Sequence, residues 1–265
     1  ADFYFAEVIK MESFEVTIIK NGVWTSNTTP VSEEVPLTII VNGREIATLL
    51  CSPDHSSNLV MGFLYTAGLL QEISALKSIT IDKDRWNAIT EIEDESFGED
   101  IVFKRVYTSG CGKGVIFHNP LDVMNRQKLE NDMRVRSSDI TTLMKAFQKR
   151  SEEHQYTRGI HSGGLAYPEK IIVFREDIGR HNAVDKVIGE TLIMDTGFED
   201  KIMLASGRIS SEILSKILQC RVPVIAALGS PTNQAVKLAR ETNLTLVAQA
   251  RGNRMIVFSG EERII

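Results

Sequence analysis

From about residue 170 onward, short apolar runs alternate with helix-patterned stretches, and this alternation restricts the fold more than any other feature of the chain. Strands are expected at 170–174, 201–205, 223–228, 244–248 and 255–258. Helices are expected from about Gly179, over 211–219, and after Ser230-Pro231, where proline fits the first helical position behind a serine cap. Upstream, Ser137 or Ser138 caps a helix whose Ile140, Leu143, Met144 and Phe147 recur at helical spacing. Strand alternating with helix predicts a largely parallel sheet with helices on both faces. Right-handed crossovers then place the strand-to-helix loops along one edge. The last two strands are joined too closely for a crossover, so the sheet ends antiparallel.

The first part of the chain follows a different pattern. Strands are expected at 14–19, 37–41, 46–50, 78–81, 87–92 and 101–106, with Asn42-Gly43 as a hairpin turn. One helix interrupts them near 57–67, with Gly68 at its end. The expected fold is therefore α/β: a smaller α+β domain over 1–110 and an α/β/α domain over 111–265. The six carboxylates between Glu91 and Asp100 read as a solvated hairpin tip. With 43% hydrophobic and 25% charged residues the composition is that of a globular protein, and a net charge of −5 argues against broad nucleic-acid binding. Three cysteines without regular spacing make no disulfide framework, which favours a reducing cytoplasm. Glu7, Lys10 and Glu12 are too polar for a signal peptide, and no apolar run reaches membrane-spanning length.

Cys111 stands in Thr108-Ser109-Gly110-Cys111-Gly112-Lys113-Gly114. Glycines let a ligand approach the backbone closely, and a nearby lysine favours the reactive thiolate. The bland alternative is a turn. Three strand-to-helix loops form a second group: Arg175 to Asn182, Ser206-Gly207-Arg208-Ile209-Ser210, and Leu228-Gly229-Ser230-Pro231. Helix N-termini attract anions, and Arg180 and Arg208 add bidentate donors, so together the loops describe an anion pocket. The segment Gln249-Ala250-Arg251-Gly252-Asn253-Arg254 is either a plain turn with its arginines in solvent or a further part of that pocket. His161, in a glycine-rich loop, and His181, beside Arg180, either position a ligand, move a proton or serve as structural hydrogen-bonding groups. His55, His118 and His154 have no supporting context, and no zinc-ligand spacing occurs, which removes a zinc deaminase. A thiol hydrolase pairing Cys111 with His161 or His181 requires those groups to meet in space.

On these motifs the chain resembles the formate dehydrogenase accessory sulfurtransferase family, the FdhD-like proteins. Its sharpest stretches run from Glu176 through Asp177-Ile178-Gly179-Arg180-His181-Asn182-Ala183-Val184-Asp185 to Lys186, and over Ser206-Gly207-Arg208 with the following Ser-Ser-Glu. Met61-Gly62-Phe63-Leu64, Ala67-Gly68 and the run Asn243-Leu244-Thr245-Leu246-Val247 agree as well. The resemblance implies a homodimer whose larger domain is similar to the cytidine-deaminase-like fold. It implies that sulfur passes from a cysteine desulfurase, as a Cys111 persulfide, to the molybdenum (or tungsten) bis-pterin guanine dinucleotide cofactor of formate dehydrogenase. It places cofactor binding on residues 249–254. Arg180, His181, Ser206, Gly207, Arg208 and His161 are expected as further ligand contacts from the loop reading above. The apo-dehydrogenase is the other implied partner. Many members carry Cys-x-x-Cys at the sulfur site, where this chain has Gly114 in the second position. A single thiolate still suffices to hold a sulfane sulfur, whereas a two-cysteine relay within the loop does not exist here. The alternative is a cofactor-binding chaperone without transfer chemistry.

Overall fold

A computed structural model of the chain describes residues 11–93 and 128–265. The described residues begin with a hairpin of β1 (Met11–Lys20) and β2 (Val23–Ser32). β3 (Val35–Val41), β4 (Arg44–Cys51), α1 (Ser56–Thr66), β5 (Leu76–Asp82) and β6 (Asn87–Ile92) follow, and their strands form a sheet in the order β4-β3-β6-β5. Asn42 and Gly43 both take positive φ, as the expected turn requires. Asn21-Gly22 turns the same way and closes β1 onto β2. β2 is a strand that the sequence pattern does not predict, because its Thr- and Ser-rich run shows no apolar alternation. Gly68, at φ +73, ends α1 as expected.

The second part comprises α2 (Ser137–Arg150), α3 (Glu152–Thr157), β7 (His161–Tyr167), β8 (Lys170–Asp177), α4 (Arg180–Met194), β9 (Ile202–Ala205), α5 (Ser211–Gln219), β10 (Val224–Ala227), α6 (Asn233–Glu241), β11 (Thr245–Arg251) and β12 (Arg254–Ser259). Its six strands run in the order β12-β11-β10-β9-β7-β8. β9, β10 and β11 are parallel and β12 closes antiparallel, as expected. The sheet is more mixed than the alternation predicts, because β7 lies antiparallel between β8 and β9. This strand comes from the run read as a glycine-rich loop. Its glycines answer to packing: a Cβ on Gly163 would meet the Ala183 carbonyl oxygen at 2.8 Å, and one on Gly164 the Phe147 ring at 3.2 Å.

Helices cover both faces of this sheet. On one, Ile140, Leu143, Met144 and Phe147 of α2 pack against Ala166, Ile202, Leu204, Val224, Ala226 and Val247. On the other, α4, α5 and α6 cover Leu165, Met203, Ile225, Ala227 and Leu246. That second core continues unbroken into α1, β3 and β4, so one apolar cluster joins the two sheets. Two expected caps move by a few residues. Extended Arg136, not Ser137 or Ser138, precedes α2, with its guanidinium 2.9 Å from Asp139, and the Ser137 amide donates to Ile265. α6 begins at Asn233 because the Thr232 hydroxyl accepts from the Ala235 amide, while Pro231 bridges to Ile209. Among the described residues no helix is long and apolar enough to cross a membrane.

Candidate functional site

The carboxyl ends of β8, β9 and β10 meet at one sheet edge. β7 runs the opposite way and delivers its first residue, His161, to that edge, opposite Asp177 at the end of β8. Backbone bonds then join the loops: the Ser206 amide donates to Ser162, the Ile209 amide to Ser230, and the Gln249 amide to Gly229. Two glycines set how tightly the loops lie. A Cβ on Gly229 would sit 2.3 Å from the Gly207 carbonyl oxygen. One on Gly207 would sit 3.1 Å from the Arg180 Cβ and 3.2 Å from His161 Nδ1. His161, Arg180, Gly207 and Gly229 therefore form one wall, with the Ser206 hydroxyl 3.5 Å from His161 Nδ1 and Arg208 exposed beside it.

The electrostatics of this crevice suit an anion. Burial, reinforced by Arg180, lowers the His161 pKa. Burial and then the cations Lys216, Arg180 and Arg208 push His181 down to about 3. Both rings are thus neutral at physiological pH, and the positive charge of the crevice rests on the arginines. His181 Nε2 lies 3.4 Å from Glu212 Oε2, whose own pKa burial raises. Glu212, the end of the Ser-Ser-Glu that follows Arg208, thus joins the site through space, with no local pattern to mark it. The His181 ring should show no titration in a two-dimensional NMR experiment from about pH 8 to about pH 5. Protonation is disfavoured in the folded state, so His181 stabilises the protein above its ordinary pKa. That contribution is lost as pH falls from about 6.5 towards the folded-state value. A ring titrating at its ordinary value would show that it is not buried among these cations as described.

Residues 249–254 form the end of β11, a tight turn and the start of β12. Gln249 adopts φ +52 at a β-bulge, and Gly252 turns the chain at φ +63. The Gln249 side chain donates to Ser230 Oγ at 3.1 Å and accepts from Arg254 at 3.4 Å, which ties the turn to the β10–α6 loop. Arg251, Gly252, Asn253 and Arg254 are exposed, whereas Ala250 is buried against α2. Lys145 of α2, another residue the sequence reading passes over, donates to Asn253 Oδ1 at 2.7 Å. The structure thus brings His161, Arg180, His181, Ser206, Gly207 and Arg208 together, and attaches Gln249 and Arg254 to them through Ser230. Cys111 and the loop 108–114 lie outside the described residues.

Much of the 176–186 motif works inside the protein. Asp177 accepts from the Gly179 amide at 2.8 Å, Asn182 Nδ2 at 2.9 Å and the Ser52 amide at 3.1 Å, and lies 2.9 Å from Lys186 Nζ. Burial pushes the Asp177 carboxyl upward against these donors, yet an ammonium and three N–H groups aimed at its oxygens make an environment for the carboxylate. Lys186 also reaches Asp54 at 3.1 Å, and Asn182 donates to Leu50, so the start of α4 is fastened to the end of β4.

Residues 32–265 match the model of the FdhD/NarQ family. The chain belongs to that family. Among similar FdhD/NarQ proteins, the sulfur carrier protein FdhD of Bacillus pumilus (strain SAFR-032) is 39% identical over 246 residues, 92% of this chain and 94% of the relative. The protein of the same name from Bacillus subtilis (strain 168) is 36% identical over 232 residues, 87% of this chain and 88% of its own. A crystal structure described as a formate dehydrogenase accessory protein, from Desulfotalea psychrophila, superposes with a TM-score of 0.80 at 23% identity. It covers 96% of this chain and 99% of its own, and so shows the same fold. The FdhD/NarQ match starts at Ser32, the last residue of β2, so nearly all of the β1–β2 hairpin precedes it.

Proposed function

We propose that the chain is a sulfur carrier in formate dehydrogenase maturation. On this reading it takes sulfur on Cys111 from a cysteine desulfurase and delivers it to the molybdenum (or tungsten) bis-pterin guanine dinucleotide cofactor, which is its substrate. The observation that carries the reading is similarity along nearly the whole chain to proteins named sulfur carrier protein FdhD. In the loading step the Cys111 thiolate attacks the sulfane sulfur of the donor persulfide. A new S–S bond forms, the donor S–S bond breaks, and the donor cysteine leaves as a thiolate, with no net oxidation or reduction. Cys51 and Cys220 are poor alternatives: both are buried, and burial drives the Cys51 thiol up to about 12 and Cys220 upward as well.

The crevice supports the acceptor half of the proposal. Its neutral imidazoles, Arg180, Arg208 and close-packed glycine loops suit a phosphate-bearing ligand, with Arg251 and Arg254 extending the cationic surface. The three-layer body fits kinship with the cytidine-deaminase-like fold, and a homodimer of chains with domains 1–110 and 111–265 completes the proposal. Intact-mass measurement after incubation with a desulfurase and cysteine tests it. The wild type should gain the mass of one sulfur atom and Cys111→Ala should not. The Arg251→Ala/Arg254→Ala variant should still load sulfur while binding GDP at least about tenfold more weakly. GDP bound with no sulfur retained would instead favour the chaperone reading, for which the crevice alone suffices.

A further inference from the structure

The β1–β2 hairpin is tied to the rest of the protein at its base, where the Ser32 hydroxyl meets Thr157 at 3.0 Å, and it carries an exposed apolar face. Cross-strand partners share a face, so the pairs Glu12↔Val31, Phe14↔Thr29, Val16↔Asn27, Ile18↔Thr25 and Lys20↔Val23 line one side of the ribbon. Phe14 is 45% exposed, Ile18 40%, Val23 63% and Val31 44%. Val31 lies diagonal to Phe14 and Val23 diagonal to Ile18, so each end of the face carries an apolar pair. A two-stranded ribbon is marginal in water without a further layer, and contiguous exposed apolar surface marks a contact site.

This face is complementary to itself end to end. Along β1 it runs Glu12, Phe14, Val16, Ile18, Lys20: an acid, three apolar residues, a base. Along β2 it runs Val23, Thr25, Asn27, Thr29, Val31, symmetric about Asn27, and Asn27 pairs with Val16. Consider a two-fold axis that passes through the Val16–Asn27 pair, lies in the plane of the face and crosses the strands. It sets Phe14 on the second copy's Ile18, Val23 on the second copy's Val31, and Thr25 on the second copy's Thr29. Asn27 meets its own counterpart at the centre, and Glu12 meets the second copy's Lys20 at both ends. An isologous dimer demands this kind of self-complementary patch.

We propose that the hairpin face is a self-association surface whose partner is a second copy of this chain, stacked antiparallel with Glu12–Lys20 pairs closing both ends. The inference deepens the homodimer part of the proposed function and does not depend on the sulfur chemistry. A twist of about 30° between stacked ribbons keeps the end residues within reach of long Glu and Lys side chains. A face about 30 Å long and two strands wide supplies roughly half of the ~800 Å² per partner of a standard interface. The dimer is therefore concentration-dependent and sensitive to its end charges.

Sedimentation velocity over a concentration series tests this, with circular dichroism checking that each variant folds. Glu12→Lys alone, or Lys20→Glu alone, sets like charges against each other at both ends and should weaken the dimer about tenfold or more. The double variant Glu12→Lys/Lys20→Glu restores opposite charges and should recover wild-type association. Val16→Glu places two charges at the axis and should leave a monomer. A wild-type dimer equally strong in all these variants would overturn the surface while leaving a homodimer intact. A wild type that stays monomeric throughout would overturn both.

Discussion

Replacing Lys186 by methionine should destabilise the protein by about 3–5 kcal/mol, seen as a lower urea midpoint with little change in slope. The Lys186 side chain is 0% exposed, and its ammonium lies 2.9 Å from Asp177, itself 0% exposed, and 3.1 Å from Asp54. Burial acts to lower the Lys186 pKa, but Asp177 and Asp54 outweigh it and hold the ammonium charged. Methionine preserves most of the volume and removes the charge, so the cost is that of a buried carboxylate without its counter-ion. The double variant Lys186→Met/Asp177→Leu should recover part of the loss, since it removes both charges. GDP affinity should fall in the single variant too. Asp177 holds the Gly179 amide and Asn182, which fix the turn of α4 that presents Arg180 and His181. A single variant as stable as wild type would mean the pair contributes nothing to joining β4 to α4.

That network also marks how far the sequence could be read. The β9–α5–β10–α6–β11 succession was legible because apolar periodicity and helix-start residues agree at every step. β7 was not, because Gly163 and Gly164 look like loop residues until Ala183 and Phe147 are found pressed against them. The crevice loops were legible in outline, since an arginine and a glycine ahead of a helix carry a local physical meaning. Glu212 and Lys145 were not, because their partners His181 and Asn253 are near in space and remote in sequence. The 176–186 motif shows the opposite difficulty. Its Asp177, Asn182, Asp185 and Lys186 stand in sequence around the ligand candidates Arg180 and His181, and only burial reveals that they fasten the protein together. The β1–β2 register, set by Asn21-Gly22, decided which side chains share a face, and no single-strand pattern contains that information.

Alanine at Gly189 should be about as damaging as the loss of Lys186, for a steric reason. α1 and α4 cross backbone to backbone at two glycines. A Cβ on Gly189 would lie 1.9 Å from the Asn58 carbonyl oxygen and 2.8 Å from the Gly62 amide nitrogen. One on Gly62 would lie 1.9 Å from the Asp185 carbonyl oxygen. No flexible side chain can swing aside at either point, so the helices themselves must separate. Ordinary overpacking costs about 1–3 kcal/mol where side chains can adjust, and here the upper end, about 3 kcal/mol, is expected. Separation would also pull Asp185 from Lys216, now 2.7 Å away, and from Thr66 at 2.9 Å, which loosens α5 behind Glu212. Gly68→Ala is the informative comparison. Gly68 has φ +73 and open space where a Cβ would go, so its replacement costs only the backbone term, about 1–2 kcal/mol. Urea titration of the two variants separates contact from conformation. Should Gly68→Ala prove the less stable protein, α1 would be held to α4 by side chains alone, and the close crossing would have no part in placing the crevice.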